Sequence, residues 1–298
     1  MIPVHSLDVA GLRFAIEPPP GFAVVEGDAR YAPFLNRPLD SEVPSLRVTL
    51  TLDPADLAGR VPVFDSGDAW RGFRDGADLL IDMAPEGAPS RLWTARLHGG
   101  RDRVTIHCGE PLRVTGGPEG PAVQNPMRYP LDQILMLALL PPRGRLVVHG
   151  AGAVKGGVGL AFPGYSGAGK STISRLMKST PEILGLSDDR IVLQAPVEGG
   201  GAIVHGTPWS GDERVAANAK AKAAALVFLH HAKENALRRI DAKAALRQLL
   251  PTACVPWFDE EGASLGLGVC EAIIGAVPAY ELHFRPEVEA LAVLDALW

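Results

Sequence analysis

Eight consecutive residues, Gly164-Tyr165-Ser166-Gly167-Ala168-Gly169-Lys170-Ser171, match G-x-x-x-x-G-K-[ST] at every fixed position. No other stretch restricts the fold as much, because such a loop works only between a strand that delivers it and a helix that starts at its end. Both neighbours are legible. Val158-Gly159-Leu160-Ala161-Phe162 is a short apolar run that stops at Pro163-Gly164, and Lys170 to Lys178 is a good helix-forming segment. Leu146-Val147-Val148-His149 and Val154-Lys155 read as two further short strands ahead of it.

The chemistry of the pattern is specific. Glycines let the backbone close around an anion and aim its N–H groups inward. The start of the following helix adds a partial positive charge. Lys170 would reach the β- and γ-phosphates, and the Ser171 hydroxyl would ligate Mg²⁺. The expected cofactors are therefore ATP and Mg²⁺. The expected cradle is Gly164, Tyr165, Ser166, Gly167, Ala168, Gly169, Lys170, Ser171 and Thr172.

Asp188 and Asp189 stand side by side, 18 and 19 positions after Lys170, between the apolar runs Ile183–Leu186 and Ile191–Leu193. Phosphoryl transfer requires an acid that holds the metal and gains from a carboxylate that orients or deprotonates the nucleophile. Two adjacent Asp can divide these tasks, and their repulsion raises one pKa unless a cation offsets it. A solvated acidic turn would look alike in isolation. Its place downstream of a phosphate loop favours the functional reading.

With these pieces in place a resemblance is visible. Val148-His149-Gly150, the glycine loop 164–171 and Ser187-Asp188-Asp189-Arg190 stand in an order and spacing that resembles the catalytic domain of HPr kinase/phosphorylase. ATP-dependent phosphoenolpyruvate carboxykinase is similar in its own His, glycine loop and Asp-Asp. The resemblance covers roughly residues 145–215. It implies a phosphoenolpyruvate carboxykinase-like P-loop kinase domain, with His149, Asp188 and Lys170 at the catalytic centre. Asp188 would be the base or acid for the acceptor hydroxyl, and Ser171 and Asp189 the metal ligands, with the two adjacent acids able to trade these roles. The chain also departs from that family. Residues 255–298 hold no Arg-Pro-Gly-Arg-Asn-like stretch, and Tyr165 stands where many HPr kinases have Asp. Neither phosphorylase activity nor the carrier protein HPr is therefore carried over. Val204-His205-Gly206-Thr207-Pro208-Trp209-Ser210-Gly211 instead resembles a separate HPr-kinase-related branch.

The rest of the chain bounds this picture. Residues 1–125 read as a mostly β N-terminal domain, with period-two alternation at Leu46–Leu52, Arg91–Leu97 and Arg103–His107. A Pro/Gly-rich linker, 116–130, leads through an apolar helix at Leu131–Leu140 into the catalytic domain, 126–298. The expected class is α/β, with an α+β mix. Farther on, the alternation predicts a strand over Ala223–Leu229, a helix over Ala242–Leu250 opened by Asp241, an edge strand at Glu281–Phe284 and a terminal helix from Pro286.

Smaller features read as structural. His107 beside Cys108 and the His230-His231 pair each lack the ligands to close a metal site. Three scattered cysteines, Cys108, Cys254 and Cys270, make no disulfide framework. The loop His205–Gly211 could cover a ligand or be a turn around a buried Trp209, and Arg214 reads as a surface residue before a phosphate-binding one. A net charge of −5 without a basic–aromatic run argues against nucleic acid. The most apolar helix is far shorter than the ~20 residues of a membrane span, so a cytoplasmic protein is expected. Expected partners are ATP and an unidentified hydroxyl-bearing acceptor: peptide, protein or small molecule. A homo-oligomer is left open. The function expected is an ATP-dependent phosphotransferase acting on an alcohol group. The alternatives are a nucleotide-sensing protein without transfer and a carboxykinase-like enzyme.

Overall fold

The computed structural model describes residues 2–37, 45–67, 69–85, 87, 90–117, 120–197 and 200–298. The chain is mixed α/β and divides into two compact units, Met1–Leu135 and Met136–Trp298. The division falls inside the helix Leu131–Leu139 rather than at residue 125.

The first unit consists of a four-stranded and an eight-stranded sheet. The expected strands lie at Ser45–Thr51, Trp93–Leu97 and Arg103–Cys108 within the larger sheet. Leu46, Val48 and Leu50 are buried while Arg47 on the other face is exposed, as the alternation requires. The linker reading is corrected here. Arg113–Gly117 and Gly120–Gln124 are paired antiparallel strands, and the second also runs parallel to Ala23–Glu26. Glycine and proline are as frequent in hairpin turns as in linkers, so composition alone could not separate the two. Pro118 and Glu119, also within that linker, lie outside the described residues.

The second unit carries the glycine loop. Its strands are β1 (Arg145–Lys155), β2 (Val158–Pro163), β3 (Ile183–Ser187), β4 (Arg190–Gln194), β5 (Ile203–His205), β6 (Lys220–His231), β7 (Ala236–Ile240) and β8 (Ala279–Phe284). Its helices are α1 (Lys170–Lys178), α2 (Ala242–Leu249) and α3 (Glu260–Ala276). The two short strands expected at 146–155 are one strand, β1. It continues through Gly150 because the backbone of β2 lies too close for any side chain there. A Cβ would stand 2.9 Å from the Phe162 carbonyl oxygen.

Length lets β1 and β6 each pair with three neighbours. The first half of β1 pairs with β4, and the second with β2 and β3. The start of β6 pairs with β5, its middle with β2 and its end with β8. Since β4 also pairs with β5, the strand path β1–β4–β5–β6–β2 closes on itself. β8 is not an edge. It lies between β6 and the polar strand β7, whose Arg238 and Arg239 hid its strand character from a reading by hydrophobic alternation. The terminal helix is a 3₁₀ helix, Val288–Leu297.

Two apolar clusters pack this sheet. Leu146, Val148, Ile191 and Phe228 meet Ala245 and Leu249 of α2 and Val269 and Ile273 of α3. On the other side Phe162, Val227, Leu282 and Phe284 meet Ile173 and Met177 of α1. β2, β6 and β8 run parallel, so their carboxyl ends point the same way. That is the edge at which open α/β sheets bind ligands.

Candidate active site

The glycine loop leaves β2 at Pro163 and enters α1 at Lys170. Gly169 precedes the helix with φ +105°, and a Cβ there would stand 2.9 Å from the ring of Phe284. Only glycine meets both conditions. Lys170 is 6% exposed, and its Nζ donates to the Tyr165 carbonyl at 2.6 Å. Burial lowers its pKa and nearby Arg190 lowers it further, with Asp189 offsetting part. The chain thus places a desolvated ammonium under the loop, held by a neutral acceptor that an anion can replace.

The backbone of β1 joins this loop to the acidic pair. The Gly164 N–H donates to the His149 carbonyl, and the Gly150 N–H to the Asp189 carbonyl. The side chains follow: His149 Nε2 lies 3.0 Å from Asp189 Oδ1. Burial pushes the Asp189 carboxyl up, but the hydrogen bond from His149 and the positive charges of Arg190 and Lys170 outweigh it. The net result is a pKa below the ordinary carboxylate value.

Asp188 has a different environment. It is 3% exposed. Its Oδ1 accepts the N–H groups of Gly211 (2.9 Å) and Val215 (3.2 Å), and its Oδ2 that of Glu213 (2.8 Å). Arg175 of α1 grips the Glu213 carboxylate at 2.7 Å, and Lys178 donates to the Glu213 carbonyl. Segment 211–215 is therefore lashed to both Asp188 and the helix after the glycine loop. Asp188, the residue expected as base, lines the cavity as well as anchoring this segment. Both of its oxygens hold a loop in place.

A cavity of about 350 Å³ collects these groups. Of the predicted site residues, His149, Ser166, Gly167 and Gly169 line it. So do Lys170, Ser171, Thr172, Asp188 and Asp189. Gly164, Tyr165 and Ala168 belong to the loop but not to the lining, and Tyr165 is 52% exposed. Of the remaining lining residues, Gly211 ends the loop read as one that could cover a ligand, and two were missed by sequence reasoning. Asp212 is carried by the lashed segment, and His231 ends β6. The signal for His231 was available: it terminates a buried strand parallel to the one that delivers the glycine loop.

Other candidates are structural. Trp209 is buried, and its carbonyl accepts from Ser187 Oγ. Arg214 is exposed and does not line the cavity. His205 is buried against Gln194 (2.9 Å), and burial, with Arg145 and Lys220 adding, pushes its pKa down to about 3. The folded chain keeps it neutral, while the unfolded chain protonates it below about pH 6.5. Stability is thus full above that pH and falls toward pH 3, by at most ~1.4 kcal/mol per pH unit. His205→Gln should flatten this slope in urea unfolding measured across mildly acidic pH.

His230 meets Glu281 at 3.7 Å and stacks on His283, which lies 3.3 Å from the same carboxylate. Among the described residues no group of three or more His, Cys, Asp or Glu is placed to hold a metal ion. His107 bonds the Asp53 carbonyl through Nδ1. The three cysteines are free thiols, and burial pushes Cys108 and Cys270 up to about 12. A larger concavity, about 670 Å³, lies in the first unit. Its Asp78 is already paired with Arg96 and its Arg47 with Glu17. Among the described residues no helix is long and apolar enough to cross a membrane. Compared with known proteins, the chain matches no family model, and no curated protein is significantly similar to it.

Proposed function

We propose that this chain is an ATP-dependent phosphotransferase of the HPr-kinase-like kind, moving the γ-phosphoryl group to a hydroxyl on a peptide, protein or small molecule. One observation carries the reading. A single cavity brings a buried loop lysine and a helix start against a His149–Asp189 pair.

The residues present fit both ATP and Mg²⁺. Gly167 and Gly169, with φ +84° and +105°, turn the loop into the start of α1, and the oxygen donors Ser171 and Asp189 are of the kind Mg²⁺ prefers. Ser171 and Asp189 would hold the cation, which when bound neutralises charge on the transferring phosphoryl. Loop N–H groups and the start of α1 bind the polyphosphate. Lys170 exchanges the Tyr165 carbonyl for a charged phosphate oxygen. The depressed pKa of Asp189 keeps it ionised and makes it a weak proton acceptor. Its role is to orient His149 through Nε2, so the acceptor's proton passes to His149 Nδ1. Asp188 builds the wall that presents Asp212.

One observation favours the nucleotide-sensing alternative: Asp188 is engaged by backbone and leaves one acid fewer for chemistry. Incubation with γ-labelled ATP and Mg²⁺ in the presence of protein and small-molecule hydroxyls separates the two. Label on any acceptor supports the phosphotransferase. Tight nucleotide uptake without transfer supports the sensor, and no uptake by folded chain removes both.

A further inference from the structure

His230 and His231 end β6, and strand alternation turns their side chains to opposite faces. His230 joins Glu281 and His283, away from the chemistry described above. His231 lines the cavity. Its Nε2 lies 3.2 Å from the Gly167 carbonyl oxygen, and its ring stacks on Phe284 with centroids 5.8 Å apart and planes at 23°. The same ring pair backs Gly169, where a Cβ would stand 2.9 Å from Phe284 Cζ and 3.5 Å from His231 Cε1. Gly167 and Gly169 are the two loop residues with positive φ, +84° and +105°. One is held to this ring pair by a hydrogen bond and the other by contact.

From this arrangement we infer that His231 is a positioning residue of the phosphate loop. As the Nε2–H tautomer it donates to the Gly167 carbonyl and fixes the peptide plane that continues into Ala168. A glycine-rich segment has many conformations, and those that do not converge its N–H groups must be given up when an anion binds. A side chain that holds the loop beforehand moves that ordering from binding to folding, so it raises affinity without touching the ligand. The ligand class is a nucleoside polyphosphate, and the contribution belongs to its phosphates rather than its base. The inference rests on the phosphate-loop reading above.

The test uses the full chain and calorimetry with magnesium, a non-hydrolysable ATP analogue and inorganic tripolyphosphate. His231→Leu removes the donor, whereas His231→Gln keeps a side-chain N–H. The Leu variant should bind both probes about tenfold more weakly, one hydrogen bond's worth of affinity. The Gln variant should stay within about threefold of the unchanged chain. Amide exchange at Ala168 and Gly169 in the free protein should quicken in the Leu variant alone, a readout of loop order independent of affinity. Equal affinity and equal exchange in the Leu variant would overturn the assignment, and so would equal weakening in Leu and Gln variants. If the unchanged chain takes up neither probe, the phosphate-loop reading falls and this inference with it. Uptake by the unchanged chain, matched in the Leu variant, overturns His231 alone.

Discussion

Lys170→Ala should weaken binding of a magnesium-bound, non-hydrolysable ATP analogue by about 10- to 100-fold and reduce phosphoryl transfer by roughly 10³-fold or more. The first figure is the contribution of a charge-assisted hydrogen bond, about 1.5–3 kcal/mol. The second adds stabilisation of charge that develops only in the transition state. The structural basis is that Lys170 is 6% exposed and its Nζ donates to the neutral Tyr165 carbonyl. Its ammonium is already stripped of most water, so little reorganisation remains when a phosphate oxygen arrives. For the same reason its removal should not lower the melting temperature, since burial disfavours its charge. Lys170→Arg should not rescue, because a planar guanidinium does not fit a slot that holds one point charge. Unchanged calorimetric affinity in Lys170→Ala would end the phosphotransferase proposal.

The second large effect separates neighbours that look identical in sequence. Asp188→Ala should cost about 3–5 kcal/mol in urea unfolding, because three N–H groups, of Gly211, Glu213 and Val215, lose their acceptor together. Asp189→Asn should fold normally, since Asp189 is partly exposed and holds no such loop. It should instead lower transfer roughly 10³-fold, by weakening the cation's hold and the orientation of His149. Activity and stability therefore move in opposite variants. If Asp188→Ala left stability unchanged while Asp189→Asn unfolded the chain, the division of roles drawn here would be reversed.

Much of the candidate site was legible in the sequence. The glycine loop, its strand and its helix follow from local spacing, because the backbone N–H groups of one short segment do the work. Roles that depend on distant partners were not legible. Asp188 and Asp189 share a chemistry and a position, and only the packing of segment 211–215 against one of them tells them apart. His231 was read as inert because its pair lacked metal ligands. Its relevance comes from a contact 64 positions away, at Gly167.

The fold divides along the same line. The amino-acid sequence by itself determined the alternating strands of the first unit, the glycine loop and the cap at Asp241, whose Oδ1 accepts the Ala244 N–H at 2.7 Å. These depend on residues within a few positions of one another. Tertiary structure alone decided that β1 is one strand, that the strand path closes on itself and that β8 is interior. Those outcomes rest on which apolar faces meet and which backbones approach within a few ångströms. Residues far apart in the chain bring about those contacts, and periodicity within a single segment carries no record of them.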